Sequence, residues 1–324
     1  MDALSEVLRL ASLSGTVLAD ATAGGAWCVS VPAASSRTFA HVVLEGDCLL
    51  QAGSEAPMAL RAGDVAFLAR GESHLLGSDL TAQATPFATL LRPPVAGELA
   101  PVRLGGSARR TRWVTLAITF ERHLAEPLFA ALPSVLRAGL RGTAPLAWLS
   151  DSLGLSLSGS DAPRPGGTAA LSRVAELVLI ETLRRHVEDL PPGGKGWLAG
   201  LNDRYVGAAL ALVHGRPGEQ WTVERLARQV GLSRSALAER FSQVVGEPIF
   251  GFLTQVRLQL AAHELLTTDH SIESIAEDAG YEAVNSFSRA FKRSFGKPPS
   301  VWRRRSARKT RKARFAIRPS SAAQ

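Results

Sequence analysis

One pattern occurs twice between Trp221 and Trp302, about fifty residues apart, and it leaves few folds open. In the first copy Leu226-Ala227 is followed by Gly231, Leu237, Phe241, Gly246 and Pro248; in the second, Ile275-Ala276 is followed by Gly280, Phe287, Phe291, Gly296 and Pro298. The steps from Ala to Gly, from aromatic to Gly and from Gly to Pro agree, and one extra residue after Gly280 falls where a turn absorbs it. Self-similarity of this kind marks a duplicated structural unit. Each unit opens with apolar residues at helical spacing: Val223, Leu226, Ala227 and Val230, then Ile272, Ile275, Ala276 and Ala279. Gly231 and Gly280 end those helices, because a residue without Cβ takes the left-handed conformation freely. Ser233 is placed to cap the helix that follows. Leu237 with Phe241, and Phe287 with Phe291, then pack back on the first helix of each pair. Two helices across a short Gly turn form a helix-turn-helix, whose second helix enters the DNA major groove. A helical bundle with no nucleic acid is the plainer alternative; two copies with matching ends favour DNA.

Residues 205–305 resemble the two-motif DNA-binding domain of the AraC/XylS family of transcription regulators. The resemblance is carried by Trp221-Thr222-Val223-Glu224-Arg225-Leu226-Ala227, Gly231-Leu232-Ser233-Arg234-Ser235, the connector Arg257-Leu258-Gln259-Leu260-Ala261, and Ile275-Ala276-Glu277-Asp278-Ala279-Gly280-Tyr281. The run Phe287 to Pro299 completes it. Between the motifs, Phe250 to Leu266 reads as a rigid helix of roughly 17 residues, about 25 Å long. Successive major grooves on one face lie about 34 Å apart, and a bend in the duplex closes the difference.

The resemblance implies which side chains meet DNA. In the first recognition helix, positions 235, 238 and 239 point at base edges. Ser235 and Ala238 suit a thymine methyl and Glu239 a cytosine amine, which departs from the usual polar or basic choices. Arg234 and Arg240 suit phosphates, and Ser233 lies beside them. In the second, Asn285 pairs with adenine and Arg289 with guanine, with Ser286 alongside, while Lys292 and Arg293 suit phosphates.

Charge follows the same division. Residues 1–200 carry a net −1 and residues 201–324 a net +9, and nine basic residues with no acid lie between Arg303 and Arg318. That tail reads as a disordered end that also attracts phosphate.

The first 120 residues read as β-rich. Trp27 to Val31, Thr38 to Leu44, Cys48 to Gln51, Val65 to Ala69, His74 to Leu76, Phe87 to Leu91 and Trp113 to Phe120 are short extended runs between Gly-containing turns. They argue for a small barrel or jelly roll. Through His41-Val42-Val43-Leu44-Glu45-Gly46, Leu60-Arg61-Ala62-Gly63-Asp64-Val65 and Gly71-Glu72-Ser73-His74, this stretch resembles the cupin-type sensory domain of one branch of the same regulators. Many cupins are metal-dependent oxygenases, so an oxygenase with an appended DNA-binding domain is the rival function. Such a site needs several imidazoles and a carboxylate on one ion. The closely spaced His pair is missing here, and His41, Glu45 and His74 are the candidates that remain. They are taken as lining an effector pocket, with no catalytic residue, metal or cofactor expected. Cys28 and Cys48 are either buried small hydrophobes or a redox-sensing thiol pair.

Leu128, Leu132 and Leu136 recur every fourth residue and open a helical stretch from about 124 to 190. After a Gly/Pro/Ser-rich break at Ser158 to Gly167, Leu171, Val174, Ala175, Val178, Leu179, Thr182 and Leu183 form an apolar stripe. It either packs on the barrel or supplies a homodimer interface. Met1 to Ser12 lacks the pattern of a secretory signal, and no apolar run has the length of a membrane span.

The expected protein is therefore α+β with two domains. Residues 1–190 form a cupin-like barrel (about 1–120) with packed helices (about 124–190), and 191–204 form a linker. Residues 205–305 are all-α with helix-turn-helix motifs at 223–244 and 271–295, and 306–324 are a basic tail. Its expected role is an effector-responsive, non-enzymatic transcription regulator in the cytoplasm, with activator and repressor both left open by the sequence. Its expected partners are double-stranded DNA, a small-molecule effector, RNA polymerase and a second copy, with no membrane.

Overall fold

Short apolar runs separated by turns build the first unit, Ala11 to Pro192, and amphipathic helices build the second, which takes the segment up to Leu10 together with Gly193 onward. The computed structural model describes residues 2–304 apart from 12, 35–36, 92–100, 107–109, 121 and 158–165. The basic tail beyond 304 and most of the Ser158 to Gly167 break therefore lie outside the described residues.

The first unit contains β1 (Ser14–Gly24), β2 (Cys28–Val31), β3 (Thr38–Glu45), β4 (Asp47–Ala52), β5 (Met58–Arg61), β6 (Asp64–Leu68), β7 (His74–Gly77) and β8 (Ala84–Pro86). Next come β9 (Val102–Gly105), β10 (Arg110–Thr119) and β11 (Val135–Gly139). Six strands form one sheet in the order β11-β6-β3-β10-β1-β9, and five form another in the order β5-β4-β7-β2-β8. Trp27 and Trp113 stack between them, ring centroids 4.4 Å apart and 4° from parallel. Phe39, Leu50, Leu60, Leu68 and Leu76 fill the space around that stack. The interior is a packed core.

Three expectations change here. The strand expected at Phe87 to Leu91 is instead a helical turn, Phe87–Leu90, which follows the extended Pro86 at the end of β8. Leu136 was grouped with Leu128 and Leu132 on one helix. The helix spans Arg122–Ala130, and beyond Pro133 the chain re-enters the sheet, so Leu136 pairs with Phe67 on β6. The barrel thus extends past residue 120. Finally, β1, the longest strand, carried no strong strand signal. Gly15 is small because helix packing presses on it, since a Cβ there would lie 2.8 Å from the Cβ of Ala175, while Ala19, Ala21 and Ala23 face the core around the tryptophan stack.

Helix α1 (Ala3–Leu10) belongs to the second unit, and the helices of the first are α2 (Phe87–Leu90), α3 (Arg122–Ala130), α4 (Ala144–Leu157) and α5 (Gly167–Glu188). The whole apolar stripe of α5, Leu171 to Leu183, is buried, with the helix packed against β1 and β11. It serves the barrel, and the stripe itself is not a surface for a second copy. Trp148 on α4 and Leu177 and Ile180 on α5 are exposed.

The second unit comprises α1, α6 (Trp197–Gly200), α7 (Arg204–Gly215), α8 (Val223–Val230), α9 (Arg234–Val245), α10 (Ile249–Thr267), α11 (Ile272–Asp278) and α12 (Val284–Phe295). Residues up to Leu10 were expected in the sensory domain, but α1 lays Ala3, Glu6 and Val7 against α7. The expected linker 191–204 contains α6, whose Trp197 and Leu198 are buried, so part of it is core. Helix α10 has 19 residues, about 28 Å at 1.5 Å per residue. Among the described residues no helix is long and apolar enough to cross a membrane.

Candidate nucleic-acid interface

Each motif is held by local chemistry that the sequence specifies. Thr222 caps α8 by accepting the Arg225 N–H at 3.1 Å. Ser233 caps α9 by accepting the Ala236 N–H at 3.2 Å, and Ser271 caps α11 by accepting the Ser274 N–H at 3.0 Å. Gly231 sits at φ +80° and Gly280 at φ +77°, so both turns use the left-handed region. Leu226, Ala227, Leu237 and Phe241 are buried in the first pair, and Ile275, Ala276, Phe287 and Phe291 in the second.

One guanidinium ties the pairs together. Arg257 on α10 donates through Nε to the Pro217 carbonyl and through Nη2 to the Glu219 carbonyl, both at 2.7 Å. On its other side lies Gly280, where a Cβ would approach Arg257 Nη1 to 2.8 Å. Burial lowers the pKa of this arginine, so two backbone acceptors are what keep it in place.

The side chains expected to meet DNA divide into two groups. On α9, Arg234, Ser235, Ala236 and Glu239 face solvent, and Ala238 is half-buried. Ser233 spends its hydroxyl on the cap. Arg234 Nε pairs with Glu224 at 2.8 Å, both side chains exposed. Arg240 Nε donates to Asp203 Oδ2 at 2.8 Å, and its Nη2 lies 2.7 Å from the same oxygen. Its guanidinium lies over the Tyr205 ring, 5.5 Å from the centroid. Asp203 meanwhile caps α7, accepting the N–H groups of Tyr205 and Val206 at 3.0 Å each. Although burial raises the Asp203 pKa, the bonds from Arg240 and the two N–H groups bring it below the usual carboxylate value. Glu239 accepts from Gln243 Nε2 at 3.1 Å. On α12, Asn285, Ser286, Arg289, Lys292 and Arg293 are all exposed. None of these three cations forms an ion pair among the described residues.

Asp203 and Gln243 stand outside the residues that the sequence pattern singles out, and Glu224 and Arg257 belong to the motifs without an evident role until the fold shows their partners. Gln243 was within reach of a spacing argument, four residues after Glu239. Asp203 lies 37 residues from Arg240, and only the folded chain joins them.

The sensory trio does not assemble. His41 and His74 meet inside the barrel, Nε2 to Nε2 at 2.7 Å, both nearly inaccessible to solvent. Burial lowers both pKa values, His74 to about 4, so both rings are neutral at pH 7. Their partners fix the protons. The Glu72 carbonyl can only accept, so His74 Nδ1 carries a hydrogen and donates to it at 3.0 Å. His74 Nε2 then accepts from His41 Nε2–H, and His41 Nδ1 accepts from the Thr115 hydroxyl at 3.1 Å. Glu45, by contrast, is 65 % exposed and lies 3.8 Å from Arg112. Among the described residues no three His, Cys, Asp or Glu side chains group to hold a metal. These residues do not fit the metal centre that cupin oxygenases use. His74 also borders a cleft of about 370 Å³ lined by Ser30, Gln51, Ser73 and Pro86.

Cys28 and Cys48 are buried free thiols. Burial raises both pKa values, that of Cys48 to about 12. They stand on strands separated by β7, roughly two interstrand spacings of ~4.8 Å, too far for a bridge without backbone movement. The buried-hydrophobe reading fits this placement.

Comparison with known proteins gives consistent matches. The family model described as Cupin matches residues 2–188, and that described as Helix-turn-helix domain matches residues 226–305. A Streptomyces antibioticus protein described as an AraC-like transcription regulator is 32% identical over 307 residues, covering 94% of this chain and 99% of its own. The transcriptional regulator AlkR of Acinetobacter baylyi is 28% identical over 309 residues, covering 94% and 100%. Among solved structures, an AraC-type regulator of Chromobacterium violaceum is 27% identical over 34% of this chain and 96% of its own, with a TM-score of 0.32.

Proposed function

The chain belongs to the AraC-like transcription regulators, with a cupin-type N-terminal domain and a helix-turn-helix DNA-binding domain, and from that membership we propose that it is an effector-responsive dimer in the cytoplasm. Double-stranded DNA is its partner. The observation that carries the residue assignment is the exposed row Asn285, Arg289, Lys292 and Arg293 on α12, whose cations make no ion pair among the described residues. Arginine and asparagine are the side chains that form bidentate contacts with guanine and adenine, while lysine neutralises phosphate.

The effector is assigned to the cleft beside His74 rather than to a second cleft of about 270 Å³, which is lined by the charged Arg37, Arg70 and Glu126. The lining of the His74 cleft, Val31, Pro32, Leu75 and Ala88 with the Ser30 and Ser73 hydroxyls and the Gln51 amide, suits an uncharged, largely apolar molecule. Such a molecule shifts the DNA-binding state by no more than its difference in affinity for the two states. The exposed Trp148, Leu177 and Ile180 supply an apolar face for a second copy, and RNA polymerase is the partner through which a bound regulator acts.

Selection of bound sequences from a random duplex pool, with and without candidate uncharged metabolites, tests this reading. One consensus site is expected, with an affinity that changes when the effector is present. Recovery of no consensus at all would remove the regulator reading.

A further inference from the structure

We infer that the second motif carries the base discrimination of this regulator, while the first grips the duplex without reading it; this rests on the DNA-binding reading above. The two recognition helices sit in equivalent places in duplicated motifs, yet their cations are in different states.

On α9, Arg240 is committed to the protein. Its partner Asp203 is fixed by the cap it makes on α7, and the Asp203 side chain is only 13% exposed. For Arg240 to reach DNA it must abandon a largely buried carboxylate and its stack on Tyr205, leaving that carboxylate with the two cap N–H groups and no counter-charge. Arg234 is freer, because an exposed pair with Glu224 holds it only weakly. It exchanges readily onto phosphate, which carries no sequence information. Between them lie Ser235, half-buried Ala238, and Glu239, whose carboxylate already accepts from Gln243. Apart from Arg234, the long donor on that face is Gln243, whose amide is engaged by Glu239, and Glu239 adds a negative charge that phosphates repel.

On α12 the opposite holds. Asn285, Arg289 and Arg293 recur every fourth residue along one exposed face, with Lys292 beside them. The amide and the Arg289 guanidinium have the two-pronged geometry that distinguishes adenine and guanine from other bases. No carboxylate among the described residues must be displaced first.

The test uses the full chain on its selected site, with every base pair changed singly. Wild type, Glu239→Gln, Asn285→Ala and Arg289→Ala are compared by equilibrium binding, with thermal melts confirming that each exposed substitution leaves folding intact. In one half-site, single changes should each weaken wild-type binding by about tenfold or more, and Arg289→Ala should erase the preference at one position. In the other half-site, single changes should cost less than about threefold, and Glu239→Gln should leave every base preference where it was. A Glu239→Gln protein with altered base preference, or an Arg289→Ala protein with all preferences intact, overturns the inference. Absence of any selected site would instead fail the DNA-binding reading itself. Asp203→Asn provides a second arm, since the amide oxygen keeps the α7 cap while the charge that holds Arg240 is lost. Freed Arg240 should steepen the salt dependence of binding to random duplex by about one phosphate contact. An unchanged slope would mean Arg240 was never withheld, and would overturn that part.

Discussion

At the scale of single residues, the least local feature is the buried imidazole set. His74, His41 and His214 are all held neutral by burial, with His74 and His214 lowered to about 4. In the unfolded chain each regains a value near 6.5. Between pH 6.5 and 4 the unfolded state therefore binds more protons than the folded one, and stability rises with pH across that window. The contribution is complete above pH 6.5 and is lost as pH falls toward 4. With a shift of this size it amounts to on the order of 3 kcal/mol for each of the two imidazoles. Urea midpoints measured at pH 7 and pH 4.5 should show a large loss at the lower value; equal midpoints would show that the rings are not shielded. None of this was legible in the chain. His41 and His74 were singled out by motif, but that they face each other depends on β3 and β7 belonging to opposite sheets. Glu45 stands with them in the sequence as the carboxylate such a site would need, and the hairpin end carries it to the surface.

At the scale of elements, what the sequence made plain was what local spacing determines. The α8–α9 and α11–α12 pairs follow from Gly231, Gly280 and the aromatic positions, and each helix lies within a few residues of its expected bounds. What it hid was pairing between distant segments. Strand β1 is built of Ala, Gly and Thr, which carry little strand preference on their own, and is defined by its partners β10 and β9. Strand β11 likewise exists because β6 has a free edge for it. The Arg257 joint belongs to the same class. Gly280→Ala should destabilise the DNA-binding unit by more than about 1 kcal/mol, since the residue is left-handed and its new Cβ would press on the guanidinium. The same change at Gly231, where nothing lies within 4 Å, should cost less, because only the backbone strain remains. Denaturant melts of the two variants compare them directly; an equal loss would remove Arg257 as the source of the difference.

At the scale of the whole molecule, the chain joins a sensor whose core is full to a reader whose two halves are tied by one rod and one arginine. The α5 stripe was open between two roles in the sequence, because a buried stripe and an interface stripe have the same period; burial against β1 and β11 assigns it to the core. The proposed dimer face is then the exposed set Trp148, Leu177 and Ile180. Ile180→Glu should therefore yield monomers by sedimentation without loss of thermal stability, whereas an unchanged mass would place the interface elsewhere. The account turns on two recognition helices being presented to one duplex by a 19-residue helix. Hydroxyl-radical footprinting of the full chain on its selected site tests this most directly. Two protected patches on the same face, centred about 10 base pairs apart, are the expected result for each copy of the chain. Protection confined to a single groove, or patches on opposite faces of the duplex, would contradict it.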